Sequence, residues 1–143
     1  MISSPYLLTI GLGWIVAQGA KYLIASIKSK DFGHLNRLYL SGNMPSAHGA
    51  TTVALATYVG LQDGLGSAMF GIAALLALIV IYDAVMVRRS VGEQGVAIQK
   101  LIKLAKNQRV VIPRAAKGHT PLEVLVGAAV GALIGVIVFF ATT

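Results

Sequence analysis

The side chains able to do chemistry are few and share a setting. They are three histidines, His34, His48 and His119, and two carboxylates, Asp83 and Glu123; all but His34, which lies within the polar segment 28–45, are near the end of an apolar run. Lys30, Arg37, Arg88, Arg89, Arg114 and Lys117 lie in the segments between those runs. Phosphoryl transfer needs a nucleophile, a proton donor for the leaving oxygen, and positive charge around the equatorial oxygens. Helix N-termini add backbone N–H groups for the same oxygens. Histidines, a carboxylate and a ring of cations at helix ends therefore make a phosphate-handling set. The chain has no cysteine, which excludes a disulfide framework, a thiolate zinc site and a cysteine nucleophile.

The elements that must hold these residues are membrane helices. Of 143 residues, 56% are hydrophobic and only 12% charged, and mean hydropathy is +0.76. A soluble domain of this length has far more charge and cannot hide so much apolar surface. The expected fold is all-α, a polytopic helix bundle forming one domain over 1–143. Spans are expected at 5–27, 46–61, 65–87 and 121–143. The second is short and rich in small residues, which suits the inside of a bundle. Between the third and fourth, Ile98, Leu101, Ile102 and Ala105 fall at helical spacing with Lys100, Lys103 and Lys106 on another face. That pattern predicts a basic amphipathic helix in the headgroup plane. Gly127, Gly131 and Gly135 form a small-residue row on the fourth span, and Glu123 continues it.

Charge placement predicts orientation. Net charge is +7, and eleven of the 12 cations lie in 28–45 and 88–120. Such clustering beside apolar runs points to membrane topology and anionic lipid, with no nucleic-acid partner. Both basic segments are expected in the cytoplasm and both termini outside it, in a bacterial inner membrane or an equivalent organelle membrane. Lys21, the twelfth cation, is expected to snorkel toward the first basic segment.

The sequence around these residues resembles a family. Asn43-Met44-Pro45-Ser46-Ala47-His48 resembles the Pro-Ser-Gly-His motif of the type-2 phosphatidic acid phosphatase and vanadium haloperoxidase superfamily. Lys30 and Arg37 stand seven apart, as in its Lys-x6-Arg-Pro, with Leu38 in place of proline. Gly118-His119-Thr120-Pro121-Leu122-Glu123 looks like the end of Ser-Arg-x5-His-x3-Asp, with glutamate for aspartate. The position of that motif's arginine is Pro113, with Arg114 beside it. Together with Tyr82 to Arg89, the set resembles a divergent, small membrane branch of the superfamily, from Lys28 to Gly135.

The resemblance implies roles. His119 would attack phosphorus and form a phosphohistidine, Glu123 would accept its other ring N–H, and His48 would protonate the leaving alkoxide. Lys30, Arg37, Ser46 and a choice among Arg88, Arg89 and Arg114 would bind the phosphate, with no metal or cofactor. Structural alternatives stand beside these. Thr120-Pro121-Leu122-Glu123 is also a capping box with proline at the first helical position. Asp83 is expected to neutralise Arg88 or Arg89, and His34 to be an ordinary loop residue.

The expected function is hydrolysis of a lipid phosphate monoester of the phosphatidylglycerol phosphate or phosphatidate type from the cytoplasmic face. The alternatives are a polyprenyl (di)phosphate phosphatase, and a non-enzymatic module binding anionic lipid or a partner protein. The glycine-rich faces serve folding or a homo-oligomer equally.

Overall fold

The computed structural model describes residues 4–29, 45–105, 111–112, 115 and 118–143. Regular structure among them is entirely helical: α1 (Pro5–Ser29), α2 (Ala47–Gln62), α3 (Ala68–Tyr82), a π-helical turn (Asp83–Val87), α4 (Arg88–Leu104) and α5 (Pro121–Thr142). Lys30, Arg37 and Arg114, expected to bind phosphate, lie outside the described residues, as do His34 and Lys117.

Among the described residues, three helices are long and apolar enough to cross a membrane: Pro5–Ile27, Ala68–Leu104 and Pro121–Thr142. The second expected span is α2, of 16 residues; at 1.5 Å per residue it reaches about 24 Å, as expected for a short inner helix, and it is not among these three. The third expected span and the amphipathic segment are not separate elements. α3, the π turn and α4 run on as one helical rod of 37 residues. No proline or glycine interrupts 82–91, and charge at a membrane edge does not stop a helix. Residues 98–104 fall in the last turns of α4, where Ile98, Leu101 and Leu104 are exposed.

The bundle is packed with its small residues inward. Ala17, Ala47, Ala50, Ala54, Ala73 and Ala77 are buried, while Leu7, Trp14, Leu75, Leu78, Leu125 and Phe140 are exposed. Water would disfavour that distribution. Lipid does not, because tails are as apolar as leucine and helices gain by close van der Waals approach.

α2 sits at the centre, against α1, α3 and α5. Its closest partner is α5. Gly127, Gly131 and Gly135 lie against the backbone of Ser46, Ala50 and Ala54 respectively, so a Cβ on any of the three would run into a carbonyl oxygen. The small-residue row on α5 thus meets a matching row on α2, as its spacing predicts. Below this seam Tyr58 packs edge-on against Tyr6, with centroids 5.1 Å apart. Tyr6 donates to Asp63 at 2.9 Å, and the Tyr58 and Thr142 hydroxyls are 3.4 Å apart. The start of α1 and the ends of α2 and α5 therefore share one pole. The start of α2, the π turn and the start of α5 share the other.

Gly131→Ala should lower stability in detergent by about 1–3 kcal/mol, the cost of overpacking a filled contact. Gly71→Ala, where the added methyl meets nothing within 4 Å, should be neutral or stabilising by about 0.5–1 kcal/mol, since alanine is the better helix former. Thermal melts of the two variants in one micelle check the contrast.

Candidate active site

The second pole gathers the chemistry. Thr120 caps α5: its hydroxyl accepts from Glu123 N at 3.3 Å, and Glu123 Oε2 accepts from Thr120 N at 3.0 Å. The same Oε2 lies 3.2 Å from His119 Nδ1. Glu123 therefore serves both as helix cap and as histidine partner, through one oxygen. The two readings of Thr120-Pro121-Leu122-Glu123 are one arrangement. Both side chains are largely enclosed, His119 at 12% exposure and Glu123 at 19%. With Glu123 ionised, the proton on this contact sits on Nδ1, which leaves Nε2 with a free lone pair.

The backbone of His119 is held from the other side. In the π turn, the Arg88 N–H that a regular α-helix would direct to Ala84 goes instead to Asp83. The Ala84 carbonyl accepts from His119 N at 3.2 Å. Gly118 makes this approach feasible, since a Cβ there would collide with the Arg88–Arg89 backbone. The π turn is thus the feature that docks the segment before α5 onto the end of α3.

His119 borders two clefts. One, of about 210 Å³, is lined by Ser46, His48, Ile79, Val80, Asp83, Ala84, Arg88 and His119. Here the two histidines face a common space, with His48 exposed to it from the first turn of α2. Arg88 Nε donates to Asp83 Oδ2 at 2.6 Å. That contact bears out Asp83 as the partner of an arginine, and also puts it on the wall of the cleft. Arg88 keeps its terminal N–H groups for another acceptor. Ser46 is buried: its N–H donates to the Glu123 carbonyl at 3.3 Å, and its hydroxyl accepts from Gly49 N at 3.4 Å. Its O–H is what it can still offer the cleft. The second cleft, about 370 Å³, lies between Arg89, Gly92, Glu93, Val96, Gly118, His119 and Thr120. Arg89 pairs there with Glu93 at 3.2 Å. The two neighbouring arginines thus flank His119 on different sides.

Lys21, expected to snorkel toward the first basic segment, is 7% exposed. The sequence signal was a lone charge in an apolar run, which by default faces a bundle interior or a wet cavity. The π turn and the contact at Gly118 had no such signal, since neither is written in a residue pattern. Among the described residues no three His, Cys, Asp or Glu side chains group as metal ligands.

Comparison with known proteins agrees with the resemblance read from the motifs. Residues 2–134 match the family described as the Divergent PAP2 family. The chain is 36% identical over 114 residues to the uncharacterized membrane protein YuiD of Bacillus subtilis (strain 168), an overlap of 70% of this chain and 72% of that one. No solved structure matches it.

The shared oxygen gives a test on stability. Thr120→Ala removes the hydroxyl cap and should cost about 0.5–2 kcal/mol. Glu123→Gln keeps an oxygen for the Thr120 N–H, so it should lose less than Thr120→Ala in the same detergent melt.

Proposed function

The chain belongs to the Divergent PAP2 family, and from that premise we propose that it is a membrane-embedded phosphatase acting on a lipid phosphate monoester. The observation that carries this is the His119–Glu123 contact opening onto a cleft that His48 shares. His119 Nε2 attacks phosphorus as the bond to the lipid oxygen breaks. His48, protonated, gives its proton to the departing alkoxide, which leaves as the lipid alcohol. Water then attacks the phosphohistidine, His48 takes up its proton, and inorganic phosphate departs. Glu123 holds the Nδ1 proton and stabilises the charge the ring gains. Arg88, fixed through Nε by Asp83, turns its remaining donors to the equatorial oxygens. Lys30, Arg37 and Arg89 or Arg114 complete the clamp, and the reaction needs no metal.

A site at a helix-end pole beside lipid-facing surface suits a substrate whose headgroup is anionic and whose tails stay in the bilayer. Arg88 and Arg89 at that pole, with the basic composition of 28–45 and 88–120 in the sequence, favour the cytoplasmic leaflet. That leaflet favours phosphatidylglycerol phosphate or phosphatidate over a polyprenyl diphosphate.

Purified protein in micelles should release phosphate from at least one of these lipids, unaffected by EDTA and inhibited by vanadate. Strict dependence on added magnesium, or no release from any lipid phosphate, would sink the reading; the second result would favour a lipid-binding module. His119→Ala should abolish turnover and the acid-labile phosphoenzyme. His48→Ala should slow phosphoenzyme formation by about 10²–10⁴-fold with alkoxide leaving groups, and much less with p-nitrophenyl phosphate. Glu123→Gln should fold yet lose most activity. Its amide oxygen can still accept from Thr120 N and Nδ1 but carries no charge to stabilise the ring as it becomes cationic on attack. A reporter fused after Thr143 should read as extracytoplasmic, and a cytoplasmic signal would remove the leaflet assignment.

A further inference from the structure

We propose that the groove between α2 and α3 holds one acyl chain of the lipid whose phosphate docks at the second pole, and that Leu65 and Phe70 close its far end and so measure the chain. The inference rests on the reading of that pole as a lipid phosphate site. α2 runs from the second pole to the first, and α3 packs against it and runs back. Between them lies a cavity of about 500 Å³, and no charged side chain is among the described residues that line it. Its floor is small, with Ala56, Gly60 and Ala77 buried. Its rim is large, with Leu61, Leu65 and Leu78 exposed.

The groove lies in register with the His48–His119 cleft, and the same two helices line both. Ser46 and Ala84 border the cleft; Val53 and Ala77 border the groove. Ser46 and Val53 are seven residues apart, as are Ala77 and Ala84, so each pair lies two turns apart on one helix face. At 1.5 Å per residue Val53 lies about 10 Å below Ser46, and Gly60 about 21 Å below it. One leaflet supplies about 15 Å of hydrocarbon. The groove therefore covers the depth of the far half of a tail whose phosphate sits in the cleft. Its far end is closed. A Cβ on Gly60 would stand 3.0 Å from Leu65 Cδ2 and from the Phe70 ring. Both side chains thus lie over the Gly60 backbone, and a chain descending from the cleft stops against them.

A bilayer gives a bound tail no hydrophobic advantage over a free one. What the groove offers is shape. Left empty, it forfeits dispersion along its whole lining, and the surrounding medium consists of chains that fill it. Its volume is that of a small-molecule pocket, about 300–1,000 Å³. Its alignment with the cleft singles out the tail of the docked lipid over a helix from a second copy.

Photolabelling of the full chain in micelles, on ice, tests this without turnover. The probe is a phosphatidate with a diazirine near the end of one acyl chain; the control is a phosphatidylcholine with the same chain. Phosphatidate should label 53–61 and 70–81 several-fold more than the control does. Equal labelling by the two lipids overturns the inference, because the groove then holds bulk lipid alone. Ala74→Phe, which fills the groove, should cut the excess about tenfold, the low end of what one obstructing group costs in an apolar pocket. Unchanged labelling in the folded variant overturns the inference; if Ala74→Phe does not fold, Ala74→Leu takes its place and the wild-type comparison still decides. Unlabelled phosphatidates of rising chain length should compete best at one length, and Phe70→Ala, or Leu65→Ala if that variant does not fold, should move the optimum to longer chains. An optimum that stays put overturns the measuring role. The chain has no cysteine, so an interchain disulfide in oxidised Ala74→Cys would mark a second copy in the groove and overturn the inference. Phosphate release without preferential groove labelling refutes the groove alone. Preferential labelling without phosphate release refutes the proposed hydrolysis alone.

Discussion

Everything at the second pole depends on how closely α2 and α5 approach. Gly127, Gly131 and Gly135 let the backbone of α5 rest on the carbonyls of Ser46, Ala50 and Ala54. Lipid supplies no hydrophobic force between helices, so this contact lives on dispersion between closely fitted atoms. It also fixes function-bearing geometry. His48 is in the first turn of α2, and His119 immediately precedes the cap of α5. Side chains of leucine size along the seam would separate the two helix starts, and the two histidines with them. The Ser46 N–H to Glu123 carbonyl bond, at 3.3 Å, closes the seam at its functional end.

From that seam the remaining parts follow in order. The cap of α5 places Glu123 Oε2, and Glu123 Oε2 places His119. The π turn supplies the second anchor, because a hydrogen bond displaced from Ala84 leaves its carbonyl turned to His119 N. π turns are uncommon and gather at functional sites, where an offset in a helix buys a contact that regular geometry withholds. Here the offset also sets Asp83 beside Arg88 in one cleft and leaves Arg89 to another. Adjacent arginines in a regular helix already diverge by about 100°, and the two directions border the two clefts on either side of His119.

Much of this was legible in the residues. His119 and Glu123 are four apart, the glycine row names the packed face of α5, and Thr120-Pro121 marks its start. Those features are local, and local spacing determines them. The family was legible for the same reason, since its motifs are short and ordered. The rest was non-local. The shortness of 46–61 is plain in the sequence, and α2 is 16 residues long, but how its small residues meet α5 is set by tertiary packing. Past the third expected span the helix runs on through Arg88 and Arg89 to Leu104, since charges at a membrane edge leave helical hydrogen bonding untouched. The burial of Lys21 depends on the helices packed around it, which no reading of α1 alone can supply.

The inside-out distribution of side chains bears on what the proposed site can accept. Large apolar groups cover the outside of the bundle, while its polar groups concentrate at the second pole and, in Lys21, one step below it. A soluble phosphate ester gains nothing from such a surround. A lipid phosphate does: its tails remain in the medium that the exposed leucines already occupy, and only the headgroup must be desolvated. Fixed donors then replace the water it loses, which strengthens each contact in a poorly solvated cleft.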